Sequence, residues 1–431
     1  MRTPRYKSVV DGLAAELRAG RWPVGTRLPT HRELAQREGI ALVTATRVYA
    51  ELEAMGLVTG EQGRGTFVRD TALLAGQGID EGLVAADAVD LRFNYPALPG
   101  QADLLRNALR ELAGAGDLES LLHYQPHGGR LDDRTAVARH LRRRGLTVDA
   151  AQVLIVSGAQ HGLASAAMSF LRRGDVVAVD ALTYPGFKVL AHTLGLELVA
   201  TTDLDDLCRR RPVRAVYTMP TLHNPLGTVM SSTARKRLAA TARRHGLVII
   251  EDATYAYLVE DAPPPLAVLA PEITIHVSSL SKSVATGLRV GFVVAAEIAP
   301  IERVIRATTW NTPALTVALI RRWIDDGTVD RLEGHKRTDA HMRQAIARDV
   351  FAGLPHTGHP SSYFLWLPLA EPARADRIAA SLQRHRISVS TAAQFATTPV
   401  VPQALRLALG SIPVADLRPT LATVRAAIET A

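Results

Sequence analysis

A chain of 431 residues that is 47% hydrophobic and 21% charged is long for one hydrophobic core and too apolar to be disordered. Its formal net charge of +8, from 50 basic and 42 acidic side chains, permits nucleic-acid binding without demanding it. The single cysteine excludes an internal disulfide, the N-terminus lacks the apolar stretch of a secretory signal, and the apolar run Leu247–Ile250 is too short to span a bilayer, so a cytoplasmic protein without a membrane part is expected. The cysteine, Cys208, adjoins Arg209 and Arg210, which would favour a thiolate if the site were exposed. A structural thiol at a helix end is the plainer reading.

From the N-terminus, Val9, Val10, Leu13 and Leu17 repeat at helical spacing, and Gly20 and Pro23 end that helix. Thr30 and Glu33 form the T-x-x-E capping box of a second helix, with Leu34 and Ala35 on its buried side and Gly39 at its end. A third helix is predicted from about Val43 to Ala54. There Ala45, Val48, Tyr49 and Leu52 point inward, Thr44 and Arg47 point outward, and Gly56 stops it. Two short strands follow, Leu57–Val58 and Thr66–Val68, around a glycine-rich tip that carries Arg64. This order predicts a winged helix-turn-helix over residues 1–70. A groove-reading helix needs short or basic residues outside and a wing needs a basic tip, so Arg32, Thr44, Arg47 and Arg64 are the candidate contacts to double-stranded DNA. The segment carries 11 basic and 8 acidic residues, a net of +3, a field weak enough that binding should need two copies. Residues 71–89 show neither periodicity nor a basic run and read as a linker.

From residue 90 to 431 the pattern changes. Apolar runs at Val153–Val156, Val176–Val179, Ala215–Tyr217, Val248–Ile250, Ile273–Val277 and Arg289–Val294 alternate mostly with helical stretches. That alternation predicts an α/β domain with a mostly parallel sheet covered on both faces. Residues 311–350 read as helical. A strand at Tyr363–Leu367, a helix near 375–385, a strand at Leu405–Leu409 and a closing helix predict a smaller α+β subdomain.

Several polar residues follow these strands, where open α/β sheets place ligands. Lys282 stands in Ser279-Leu280-Ser281-Lys282-Ser283, with Arg289 seven residues on. Asp252 follows a buried strand, where a carboxylate is costly unless paired. Asn224 occupies the turn His223-Asn224-Pro225-Leu226-Gly227, and Ser157-Gly158-Ala159-Gln160 joins a strand to an apolar helix. A pyridoxal-phosphate site needs such a set: a Schiff-base lysine, a carboxylate for the pyridine nitrogen, donors for the phenolate oxygen, and a helix start for the phosphate. No metal ligand set is assigned.

Two resemblances follow from these motifs. Leu28-Pro29-Thr30, Arg32, Leu34-Ala35, Tyr49, Leu52, Gly56 and Gly63-Arg64-Gly65-Thr66-Phe67-Val68 resemble the GntR-family winged helix, which usually has Ser-Arg where this chain has Ala41-Leu42. The ordered series Ser-Gly-Ala-Gln, Tyr-Pro-Gly, Asn-Pro-x-Gly, Asp-x-x-Tyr, Ser-x-x-Lys and Arg resembles the fold-type I pyridoxal-phosphate transferases, aminotransferase class I/II, with Leu226 and Thr286 as mild departures. That resemblance implies Lys282, Asp252 and Tyr255 as the catalytic set, and Asn224 with Tyr255 at the phenolate oxygen. It puts Tyr184 on the ring, and Gly158, Ala159, Gln160, Ser279 and Arg289 at the phosphate. Tyr124 is implied to reach the phosphate of the neighbouring subunit in a homodimer, and Arg406, with Asn224, to bind a substrate carboxylate.

Both halves together resemble the MocR-type subfamily of GntR regulators. The function this implies is a DNA-binding transcription regulator that senses pyridoxal phosphate, or an amino acid or related amine effector, through aldimine chemistry. An active aminotransferase with a fused DNA-binding domain is the alternative, because sensing and turnover need the same residues.

Overall fold

The computed structural model of the protein describes residues 5–18, 21–23, 25–61, 65–68, 88–114 and 118–431. Helix α1 (Arg5–Arg18) lays Val10, Leu13 and Leu17 into a small core shared with α2 (His31–Glu38) and α3 (Leu42–Ala54). The capping box forms: the Thr30 hydroxyl accepts from the Glu33 N–H at 3.3 Å, and the Glu33 carboxylate accepts from the Thr30 N–H at 2.7 Å. Gly39 closes α2 in the left-handed region, at φ +59°. Ala45, Val48, Tyr49 and Leu52 are buried as their spacing predicts. Arg47 points outward, but Thr44 is half-buried, because it stands four residues before the buried Val48 on one edge of the helix. The outer face of α3 is instead Val43, Thr46 and Arg47.

Strands β1 (Val58–Glu61) and β2 (Gly65–Val68) pair antiparallel, with Val58 opposite Val68, and Arg27 bridges to Phe67. Arg64 and residues 71–87 of the expected linker lie outside the described residues.

Strand β3 (Val89–Asp90) opens the large unit. Its central sheet contains β4 (Val153–Val156), β5 (Val176–Val179), β6 (Glu197–Ala200), β7 (Val213–Thr218), β8 (Val248–Asp252), β9 (Thr274–Ser279) and β10 (Gly291–Val294). They lie in the order β4-β10-β9-β8-β7-β5-β6, all parallel except β10, which runs against both neighbours. β10 reads in sequence like the others because a strand buried on both faces carries no mark of its direction. β6 escapes the sequence reading because it is a short edge strand with partly exposed residues. Helix α4 (Ala159–Phe170) packs on the sheet directly after β4. Cys208 ends the helix Leu204–Arg210; burial and nearby Asp205 push its thiol up, and Arg209 and Arg210 are committed to Asp205 and Asp206, so no thiolate is favoured.

The long helix α5 (Thr328–Val350) leads to the smaller subdomain. There β11 (Phe364–Pro368), β13 (Ser390–Thr391) and β14 (Ala404–Ala408) form an antiparallel sheet in the order β11-β14-β13, flanked by α6 (Ala375–Arg384), while β12 (Ile387–Ser388) pairs with β3. The winged helix rests on this subdomain. Lys7 Nζ donates to the Pro372 carbonyl at 2.6 Å, Arg374 pairs with Asp11 at 2.8 Å, and Arg377 pairs with the buried Glu51 of α3. No helix among the described residues is long and apolar enough to cross a membrane.

Helices α2 and α3 differ at their starts. Thr30 caps α2, whereas Ala41, extended at φ −69°, ψ 151°, offers α3 no side-chain cap. Thr30→Ala should therefore lower the stability of the winged helix by about 1 kcal/mol, and Ala41→Ser should raise it by a similar amount. Denaturant titration checks this, and an Ala41→Ser variant no more stable than the parent would contradict it.

Candidate functional site

The ends of β4, β7, β8 and β9 open onto one cavity of about 620 Å³, which brings together Ala159, Gln160, Tyr184, Asn224, Asp252, Tyr255, Ser279, Lys282, Arg289 and Arg406. Asp252 is the last residue of β8 and is 2% exposed. Its carboxylate accepts from the Thr254 N–H at 3.0 Å, the Thr254 hydroxyl at 2.6 Å and the Tyr217 hydroxyl at 3.1 Å. Tyr217 is itself fixed by stacking on Phe187, ring centroids 3.8 Å apart. Among the described residues no lysine, arginine or histidine nitrogen lies within 4.0 Å of Asp252, and burial holds its carboxyl above the usual range despite the hydrogen bonds.

Lys282 Nζ donates to the Asn94 carbonyl at 2.6 Å and lies 5.4 Å from the centre of the Tyr95 ring. Asn224 is 6% exposed, and its side-chain oxygen has no hydrogen-bond partner. Tyr255 is buried beside Arg406, and burial raises its phenol well above the ordinary value. The Tyr184 ring folds over Gly186, where an added Cβ would stand 2.5 Å from ring atoms, so only glycine permits that pose. At the start of α4, Gly158 adopts φ +85°, and a Cβ there would come within 2.6 Å of the Arg289 guanidinium. The first amides of α4, at Ala159 and Gln160, have by position no acceptor within the helix. The Ser279 hydroxyl bonds Ser281 at 2.9 Å beside them.

Arg406, on β14, is 2% exposed. Its guanidinium lies 5.1 Å from the ring centres of both Phe364 and Phe395, donates to the Arg92 carbonyl and to Ser390 Oγ at 3.2 Å, and has an Nε without a partner. Burial pulls it down to about 10, which still leaves a full cation at neutral pH. Among the described residues it has no ion-pair partner, so a buried positive charge lines the cavity.

The described DNA-contact candidates and Tyr124 stand elsewhere, with Thr44 half-buried on α3. Tyr124 is 84% exposed against Trp310, outside the cavity. Arg32 is exposed on the first turn of α2. Arg47 lies 4.4 Å over the Tyr6 ring and 3.9 Å from Glu51. His140, Asp330 and Glu333 approach metal-ligand spacing, but Arg143 and Arg144 already pair with the two carboxylates.

Sequence reasoning missed the segment Arg92–Tyr95, which supplies backbone carbonyls to both Lys282 and Arg406. It follows a two-residue strand and carries no periodic signal. It also missed Lys336 on α5, whose contact with Lys282 spans 54 positions of the chain.

A winged helix joined to a mostly parallel transferase sheet, with a lysine, a buried carboxylate and a glycine-opened helix around one cavity, is the architecture of a regulator built on a pyridoxal-phosphate enzyme scaffold. The chain belongs to the aminotransferase class I and II family, which it matches over residues 86–423, and residues 5–68 match the bacterial regulatory proteins of the gntR family; the fusion is that of the MocR-type GntR regulators. It is similar to the uncharacterized HTH-type transcriptional regulator YdeF of Bacillus subtilis (strain 168), 29% identical over 85% of this chain and 81% of the relative. It is likewise similar to the uncharacterized HTH-type transcriptional regulator YjiR of Escherichia coli (strain K12), 26% identical over 94% of each chain. Its fold is that of the Pyrococcus horikoshii kynurenine aminotransferase, with a TM-score of 0.73 at 21% identity over 80% of this chain and 92% of that one.

Lys336 is fully buried, donates to the carbonyls of Lys282 at 3.1 Å and Val284 at 2.7 Å, and so holds the loop that presents Lys282; Tyr257 adds a bond to the Lys282 carbonyl at 2.9 Å. Burial, with the charge of Lys282, pulls the Lys336 amine down from 10.5 to about 7. A lysine whose folded value is depressed costs stability once it is protonated, so its contribution is best above 10.5 and declines as pH falls toward 7. Between pH 7 and 10.5 the stability of the parent should therefore rise with pH relative to Lys336→Met. Parallel denaturant titrations check this, and two curves of equal slope would contradict it.

Proposed function

We propose that the large domain holds pyridoxal phosphate and senses a carboxylate-bearing amine, and that the small subdomain passes the signal to the DNA-binding unit. The buried Asp252 without a cation, the Gly158 cradle and the unpartnered Asn224 oxygen fit the cofactor. Lys282 is the amine that bonds it, Asp252 keeps the proton on its ring nitrogen, and Asn224 and Tyr255 hold its phenolate oxygen. Tyr184 covers the ring, while Gly158, Ala159, Gln160, Ser279 and Arg289 hold the phosphate. When bound, pyridoxal phosphate supplies an electrophilic carbon for amines and a ring that withdraws electrons. Lys282 would also be the group placed to hold or move a proton of a bound amine, and Arg406 would orient the carboxylate of that amine.

The observation that carries the sensing reading is that the carboxylate clamp and the grip on the winged helix belong to one subdomain. Arg406 bonds Ser390 on β13, and Arg374 and Arg377 beside it hold Asp11 and Glu51. A ligand that re-centres Arg406 acts on the body that carries the DNA reader. Arg32, Arg47 and Arg64, with Thr44 at the edge of α3, contact the duplex, and the protein works in the cytoplasm as a homodimer. The neighbouring Leu122 and Tyr124, each 84% exposed, with Tyr124 against Trp310, support an interface with a second copy, where Tyr124 reaches the other subunit's phosphate.

Borohydride reduction of the loaded protein should fix the pyridoxyl group on Lys282, as peptide mapping would read; a label on another lysine contradicts the assignment. A carboxylate-bearing amine should change both the cofactor spectrum and the DNA affinity, the latter roughly 5- to 150-fold. Arg406→Ala should lose both changes. Arg377→Ala should keep the spectral change and lose the change in DNA affinity. Many rapid turnovers with DNA affinity indifferent to the amine would contradict sensing and leave an enzyme. Leu122→Asp should sediment as a monomer, and an unchanged mass would contradict the interface.

A further inference from the structure

We propose that the first turn of α3 reads thymine through its methyl group. The inference rests on the DNA-reading role of the winged helix and adds the base chemistry that this helix selects. In a helix-turn-helix the N-terminal residues of the second helix meet base edges in the major groove. Here those residues are Ala41, Leu42, Val43 and Thr44. Val43 is 81% exposed and Leu42 is 47% exposed, and neither belongs to the core that α3 shares with α1 and α2.

The other end of α3 is occupied. Glu51 is buried against Arg377, and the Met55 sulfur lies 3.8 Å from Arg374, so the large domain covers the C-terminal end and leaves the N-terminal end to solvent. The free end offers little to a base that is read by hydrogen bonds. Arg47, the cation of this helix, sits a turn further on, over the Tyr6 ring and near Glu51. The Thr46 hydroxyl is already bonded to the Leu42 carbonyl and to His31 Nδ1, both at 3.1 Å.

Guanine is recognised in the major groove by arginine or lysine and adenine by asparagine or glutamine. Of the four bases only thymine shows a methyl group there, and apolar side chains contact it. Leu42 and Val43 are exposed and apolar, without a basic or amide neighbour in the same turn, and so match that methyl; half-buried Thr44 beside them can add its own methyl. The Ala41-Leu42 departure thus replaces a polar contact with an apolar one. The operator should then carry thymine where each copy of α3 enters the groove.

The test uses the full-length protein. Duplexes are enriched from a random-sequence pool, and the enriched duplex is resynthesised with dU for dT at one position at a time, which removes only the methyl. One or two positions in each half-site should weaken binding about fourfold per methyl lost. The double variant Leu42→Ser/Val43→Ser, at two exposed sites, should bind the dT and dU duplexes alike, with its fold checked by circular dichroism. An effect of the methyl on duplex shape would persist in that variant. The proposal is overturned if dU is tolerated at every position, which leaves the apolar turn to a protein partner, or if the double variant still distinguishes dT from dU. A pool with no enriched sequence overturns the DNA-reading role itself and is distinguishable from either result.

Discussion

A carboxylate closed in by protein needs a cation, and among the described residues Asp252 has no ion-pair partner. Its partners are two hydroxyls and one amide, at the end of a strand buried on both sides. Leaving a charge in that setting costs several kcal/mol. In the proposed reading a protonated pyridine nitrogen at the end of β8 would remove the deficit. Around that position Tyr217 is stacked on Phe187, Lys282 follows the adjacent β9, and Gly158 lets the start of α4 approach Arg289.

The second uncompensated charge, Arg406, has the opposite sign and lies in a different part of the molecule. It is held by a backbone carbonyl, a serine and two aromatic rings. Asp252 and Arg406, neither with an ion-pair partner among the described residues, line one cavity, and a ligand with a cationic ring at one end and an anionic group at the other would match them. Among the described residues the winged helix is fastened to the subdomain of Arg406, so in the proposed reading a movement of that subdomain would carry the DNA reader with it. Coupling of roughly 1–3 kcal/mol, less than the cost of one buried charge left unpaired, suffices for regulation.

The parts of this site that were legible in the sequence are those governed by local rules. Lys282, Asp252 and Gly158 follow buried strands, and strand ends are visible as the close of an apolar run. The capping box of Thr30 and Glu33 is visible for the same reason, since its partners are three residues apart. Contacts across distant segments left no such trace. Lys336 reaches Lys282 from a helix that reads as ordinary, Asn94 lies 188 positions from the amine it accepts, and Arg374 is 363 positions from Asp11. Thr44 sits at the edge of the outward face, half-buried, because its neighbours three and four residues on, Arg47 and Val48, point to opposite sides. The reversed direction of β10 was hidden by complete burial.

The central claim is that amine binding and DNA binding share one free energy, and linkage makes that reciprocal. The direct measurement is a titration of the pyridoxal-phosphate-loaded protein with a carboxylate-bearing amine, read by the cofactor spectrum, with and without saturating operator DNA. The account predicts that the midpoint moves by the same factor by which the amine changes DNA affinity. Coincident midpoints, with DNA demonstrably bound, would contradict it.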